Sequence, residues 1–177
     1  MRFLWALALV PCLCAQAPAE AEGMTPRWEI EAAAVELEEN VATIQKILDR
    51  VRPKEWIQDG APDAYVSQYE EVMQDVEYLG LSAGNLERKP DQLSVVVDTF
   101  LWLDRSHSLI RSLGEGVRKY QNPAVADLLD SARTRNDGVM DKLKEYMRQL
   151  AIHTEQEWTV ANEEAQRCRA ELMSKPR

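Results

Sequence analysis

Glycine and histidine are scarce in this chain, and cysteine is nearly so. Its 177 residues include 7 Gly, 2 His and 3 Cys. So few glycines leave little for a loop that cradles phosphate, and two histidines cannot build a histidine-rich metal cluster. No C-x-x-C-H string occurs, which excludes c-type haem attachment, and no G-x-S-x-G elbow marks a serine hydrolase. Positive charge is in the minority: 21 Lys and Arg face 30 Asp and Glu, a net charge of -9. Such a chain lacks the basic face that nucleic acid or anionic lipid requires. Strand-like alternation, internal repeats and low-complexity tracts are also missing. Length and composition describe one globular domain.

The N-terminus carries an address. Arg2 supplies a positive charge, Phe3 to Cys14 forms an apolar run, and small residues follow at Ala15-Gln16-Ala17 and Ala17-Pro18-Ala19. This is the pattern of a secretory signal peptide, with cleavage expected after Ala19. The run is too short to span a bilayer, which takes roughly 20 apolar residues. Pro11 and Leu13 precede Cys12 and Cys14, where lipid attachment would need a small residue. The protein is therefore expected to be exported, periplasmic or extracellular, with no stable membrane insertion after cleavage. The signal style and the lack of an N-x-S/T acceptor fit a bacterial source. Cleavage would leave Cys168 as the only cysteine, so the fold must stand on its core without an internal disulfide.

The expected organisation is a signal over 1–19, a flexible leader over 20–27, one antiparallel helical-bundle domain over 28–173 and a tail over 174–177. Prolines 26, 53, 62, 90, 123 and 176 fall only at the ends of periodic segments. The first helix, Trp28 to Val51, carries Ile30, Ala34, Leu37, Val41, Ile44, Leu48 and Val51 in coiled-coil heptad steps of four and three. After a loop from Pro53 to Tyr65, the second helix repeats the steps through Tyr65, Tyr69, Val72, Val76, Leu79, Ala83 and Leu86, with Gly80 and Gly84 weakening its end. The third helix, from Pro90, places Leu93, Val96, Phe100, Leu103, His107, Ile110, Gly114 and Val117 on one seam. Val95, Trp102, Leu109 and Leu113 add a second stripe.

Asn122-Pro123 reads as a cap followed by a first-turn proline. The fourth helix then runs through Val125, Leu129, Ala132, Asn136, Val139, Leu143, Tyr146, Leu150 and His153. Asn136-Asp137-Gly138 favours a turn, but the seam keeps its phase across it, so one helix is expected, with any kink there. At 1.5 Å per residue it would be roughly 75 Å long, against about 36–48 Å for the others. The fold expected is an all-α, up-down-up-down four-helix bundle with an overhanging C-terminal helix.

Few residues suggest chemistry. His107 sits on a core position with Asp104 one turn before it. Di-metal bundles use Glu-x-x-His on two helices and a carboxylate from each of the other two. Here the motif occurs once, with Asp, and the apolar seam of the first helix offers no carboxylate. His107 is instead expected to be a buried polar residue paired with Asp104, a tyrosine of the second helix or Asn136. The alternative is a haem- or metal-binding bundle centred on His107, where haem would take His107 or His153 with Met73, Met140 or Met147. No cofactor is required by the pattern as it stands. His153 reads as an exposed histidine near acids. Trp56, with Ile57 and Gly60, is either a binding loop or a plug over the open end of the bundle. Trp158, with Val160 and Ala161, is a candidate docking patch on the overhang. Cys168, between Arg167 and Arg169, is a free thiol or a link between chains. The function expected is non-catalytic: binding to a protein partner or ligand, or self-association through the C-terminal helix.

Overall fold

Heptad spacing gives each long segment one apolar face, and four such faces close against one another. The computed structural model describes residues 23–174. The signal over 1–19, residues 20–22 of the leader and residues 175–177 of the tail lie outside the described residues. The elements in order are α1 (Arg27–Leu48), α2 (Pro53–Trp56), a 3-10 turn (Ile57–Asp59), α3 (Ala64–Arg88), α4 (Leu93–Tyr120), α5 (Pro123–Thr134) and α6 (Asp137–Ser174). The described chain is all-helical, as its periodicity implied. Helix α1 packs on α3, α3 on α4, and α4 on α5 and α6, which close the ring on α1.

Hydrogen bonds at the two ends fix the alternation of direction. Tyr69, near the start of α3, donates to the carbonyl of Leu48 at the end of α1. Arg27, opening α1, pairs with Asp91 just beyond α3 at 2.8 Å. Past the end of α4, Gln121 accepts from the Arg52 amide and donates to the Arg50 carbonyl. The Thr25 amide donates to Gln149 of α6, tying the described part of the leader to the bundle, where Met24 packs against the core. Every apolar residue of the α1 seam from Ile30 to Val51 is buried.

Four local readings change. Helix α1 stops at Leu48, because the Arg50 and Val51 amides turn back to the Ile47 and Leu48 carbonyls ahead of Pro53. The loop expected after it holds α2 and the 3-10 turn. Gly60 ends that turn at φ 84°, and its amide and that of Ala61 bond the carbonyls of Ile57 and Trp56. This is a glycine-terminated cap that lets the chain reverse. Helix α4 begins at Leu93, three residues after Pro90. Finally, the expected fourth helix is two helices, interrupted at Arg135-Asn136. The seam does keep its phase: Leu129, Ala132, Asn136, Val139, Leu143, Tyr146 and Leu150 are all buried. Asn136 leaves the helical ladder because its side chain turns inward, while its carbonyl starts α6 by accepting from Met140. The cap at Asn122 is as the sequence implies, its Oδ1 accepting from the Ala124 amide at 2.8 Å with Pro123 in the first turn.

Glycine has a packing role at two places. A Cβ on Gly116 would lie 2.6 Å from the Tyr65 ring and 3.1 Å from Trp56, so α4 must be bare there to admit both rings. Gly84, rather than only weakening α3, brings its backbone close to Glu38 of α1.

Candidate functional site

The core of α4 keeps Val96, Leu103, Ile110 and Val117 of the expected seam but leaves Phe100, His107 and Gly114 at its edge. Its buried positions are Val96, Thr99, Leu103, Ser106, Ile110, Leu113 and Val117, in steps of three and four, with Gly116 buried beside the last. Phe100, His107 and Gly114 flank that line. His107 is therefore not a core residue: its side chain is 22 % exposed at the edge between α4 and the α5–α6 joint. None of its expected partners meets it. Arg133 Nη1 donates to His107 Nε2, and Asp137 Oδ1 lies 3.5 Å from Nδ1. Arg133 is itself held by Asp130, through contacts of 2.9 and 2.7 Å. With Nε2 accepting, the neutral ring carries its proton on Nδ1, toward Asp137. Burial lowers the His107 pKa, and the Arg133 guanidinium lowers it further against the opposing pull of Asp137. Asp104 is exposed. A guanidinium on Nε2 occupies the lone pair through which that nitrogen would bind a metal or haem iron. Among the described residues, no three His, Cys, Asp or Glu side chains gather as a metal site.

Beside His107 runs a layer that the apolar pattern hides. Asn40 of α1, Asp75 of α3, Ser106 of α4 and Asn136 at the α5–α6 joint are all buried. Each lies about 13 residues along its helix from the same end of the bundle, so at 1.5 Å per residue they share one level. Asn40 Nδ2 donates to Asn136 Oδ1 and to the Ala132 carbonyl, both at 2.7 Å. Asp75 pairs with Arg105 at 2.5 Å, whose guanidinium approaches the Trp102 ring that Tyr78 stacks on. Asn40 Oδ1 and Ser106 Oγ are buried without a protein partner. A polar residue from every rod at one level is a register device: a slip of one turn in any rod would bury its polar group among aliphatic side chains. The seam of α1 is apolar as expected, but Asn40 beside it and Asp75 opposite were not anticipated. The signal available was their position next to seam residues Val41 and Val76.

Trp56 is 1 % exposed. Its ring packs edge-on to Tyr65 and stacks with Tyr120, and its Nε1 donates to Gln121 at 3.2 Å. It closes the end of the bundle where α1 and α4 finish, in the manner of the plug, and offers a partner no surface.

The other two candidates stand on α6. Beyond Leu150 the bundle ends and the helix continues, and the twenty residues 154–173 are all exposed. They project roughly 30 Å. Trp158 is 69 % exposed, Val160 56 % and Leu172 73 %. Cys168 is a free, exposed cysteine. His153 stands at the exit, its Nδ1 3.5 Å from Glu157. A shallow apolar notch lies between this helix and the start of α4, lined by Leu93, Ala151, Thr154, Glu155 and Trp158. No described helix is long and apolar enough to cross a membrane. Compared with models of protein families, with curated proteins and with solved structures, the chain matches none.

Proposed function

We propose that this protein is exported and works without catalysis, by binding another protein surface along the projecting part of α6. One observation carries the reading: twenty consecutive helical residues, 154–173, are all exposed, Trp158 and Leu172 among them. A helix of this length is marginal in water without packing, so an apolar stripe extended past its own core is stabilised by whatever covers it. The short apolar run behind Arg2 supports export. The buried polar layer and the plugged end support a rigid body that holds α6 out, rather than an open reaction site.

Removing residues 155–177 tests the reading. The shortened protein is expected to keep its bundle, with a single cooperative melt like that of the parent, and to lose association. If the deletion unfolds the bundle, the projection serves folding and the reading fails.

A further inference from the structure

We infer that the surface covering the projecting helix is the same helix of a second copy, paired antiparallel. This rests on the reading of α6 as a docking helix and names its partner. The exposed part of α6 repeats a heptad of its own: Thr154, Trp158, Ala161, Ala165, Cys168 and Leu172, in steps of four and three. At 3.6 residues per turn, this stripe is rotated by about 50° from the line of Val139, Leu143, Tyr146 and Leu150 that faces the core. It looks over the N-terminal end of α4, where Trp158 and Leu93 border the apolar notch.

That direction selects the orientation. A parallel partner helix laid on the stripe would continue downward into the volume that α4 fills. An antiparallel partner comes from the open side and ends at the notch, leaving the two bundles at opposite ends of the pair. Side-chain sizes agree. When Trp158 faces the partner's Cys168, Ala161 faces the partner's Ala165, and Thr154 faces the partner's Leu172 beside Leu93. Large residues then meet small ones at both ends, and two alanine pairs let the backbones approach at the centre.

Charge supports the pairing on one flank. Residues 151–166 contain Glu155, Glu157, Glu163 and Glu164 and no Lys or Arg, whereas residues 167–177 contain Arg167, Arg169, Lys175 and Arg177 against one acid. Antiparallel pairing lays the acidic half of each helix along the basic half of the other, with Glu155 beside the partner's Arg169 on one flank. On the opposite flank Glu164 faces the partner's Glu164 and Glu157 nears the partner's Glu171, so Glu164→Gln should tighten the dimer.

Light scattering combined with disulfide trapping on the full-length mature protein tests this. The expected mass at high concentration is that of two chains. Ala165→Lys, an exposed change, should return it to one chain with an unaltered melt. On mild oxidation the parent should give no covalent dimer. Its two Cys168 residues would lie about 15 Å apart along the pair, beyond the Cα separation of 4.4–6.8 Å that a disulfide tolerates. Trp158→Cys should give a covalent dimer through Cys168. A parent that is monomeric at every concentration, with no trapping in Trp158→Cys, overturns the inference. So does a parent that cross-links readily through Cys168, which signals parallel pairing. A monomer whose bundle survives removal of 155–177 leaves the docking reading standing with a different partner. A bundle that unfolds on that removal takes both down.

Discussion

At the scale of single residues, the molecule is governed by how its few buried polar atoms are satisfied. Asn40 spans α1 and the α5–α6 joint with two donated hydrogen bonds. Asn40→Ala would strand the Ala132 carbonyl and Asn136 Oδ1, at a cost of about 2 kcal/mol, readable by urea denaturation. Replacing Asn40 and Asn136 together by Leu should cost less, because only the Ala132 carbonyl is then left without its partner. Tyr146 is the opposite case. Its hydroxyl is buried without a partner, and burial pushes its pKa up to about 12. Tyr146→Phe should therefore raise stability, by ~1 kcal/mol. A drop in melting temperature would mean that the hydroxyl has a partner in solution. His107 brings pH dependence. Its pKa in the fold lies below the unfolded value because burial and Arg133 oppose the charged ring, while Asp137 and Asp104 only partly offset them and Arg111 adds to the opposition. The unfolded chain thus takes up the proton first. Stability is full above about pH 6.5 and is lost as pH falls through the folded value. Melting curves between pH 7 and 5 should show this slope, and His107→Gln should flatten it. An unchanged slope in the variant would place the titration elsewhere.

At the scale of elements, two glycines on one helix should respond in opposite ways. Gly114 has open space around its Cβ position, so Gly114→Ala should stabilise α4 by up to ~1 kcal/mol. Gly116→Ala would drive a methyl into the Tyr65 ring, which Trp56 and Tyr120 hold in place, and should cost about 1–3 kcal/mol. Thermal melts of the two variants decide it, and equal shifts would contradict the packing at the plugged end. These elements also show what the sequence makes legible. Helix α1 is readable because every position of its seam is aliphatic. In α4 the line of the core passes through Thr99 and Ser106, and a search for apolar residues settles instead on Phe100 and His107, one position round the helix. That single step placed His107 in the core and hid the polar layer. The break before α6 was half visible. Asn136-Asp137-Gly138 favours a turn, but the inward pull of Asn40 on Asn136, which comes from 96 residues away, lies outside local pattern.

At the scale of the whole molecule, the mismatch in helix length was legible from proline spacing, since no proline interrupts the chain between 123 and 176. The four-rod body needs α6 only as far as Leu150, and the polar layer and the Trp56 plug lock that body at its middle and at one end. Trp158 and Cys168 could be placed on the overhang from sequence. Their common stripe, and its rotation over α4, needed the end of the bundle to be located. Among the described residues, the projection is thus the stretch of α6 that the core does not bury. Hydrogen exchange along α6, measured in dilute and in concentrated solution, tests this most directly. Amides of residues 139–150 should exchange slowly at both concentrations, and those of 158–172 should exchange fast when dilute and become protected when concentrated. Equal exchange of 158–172 at the two concentrations would contradict a docking helix that pairs with its own kind.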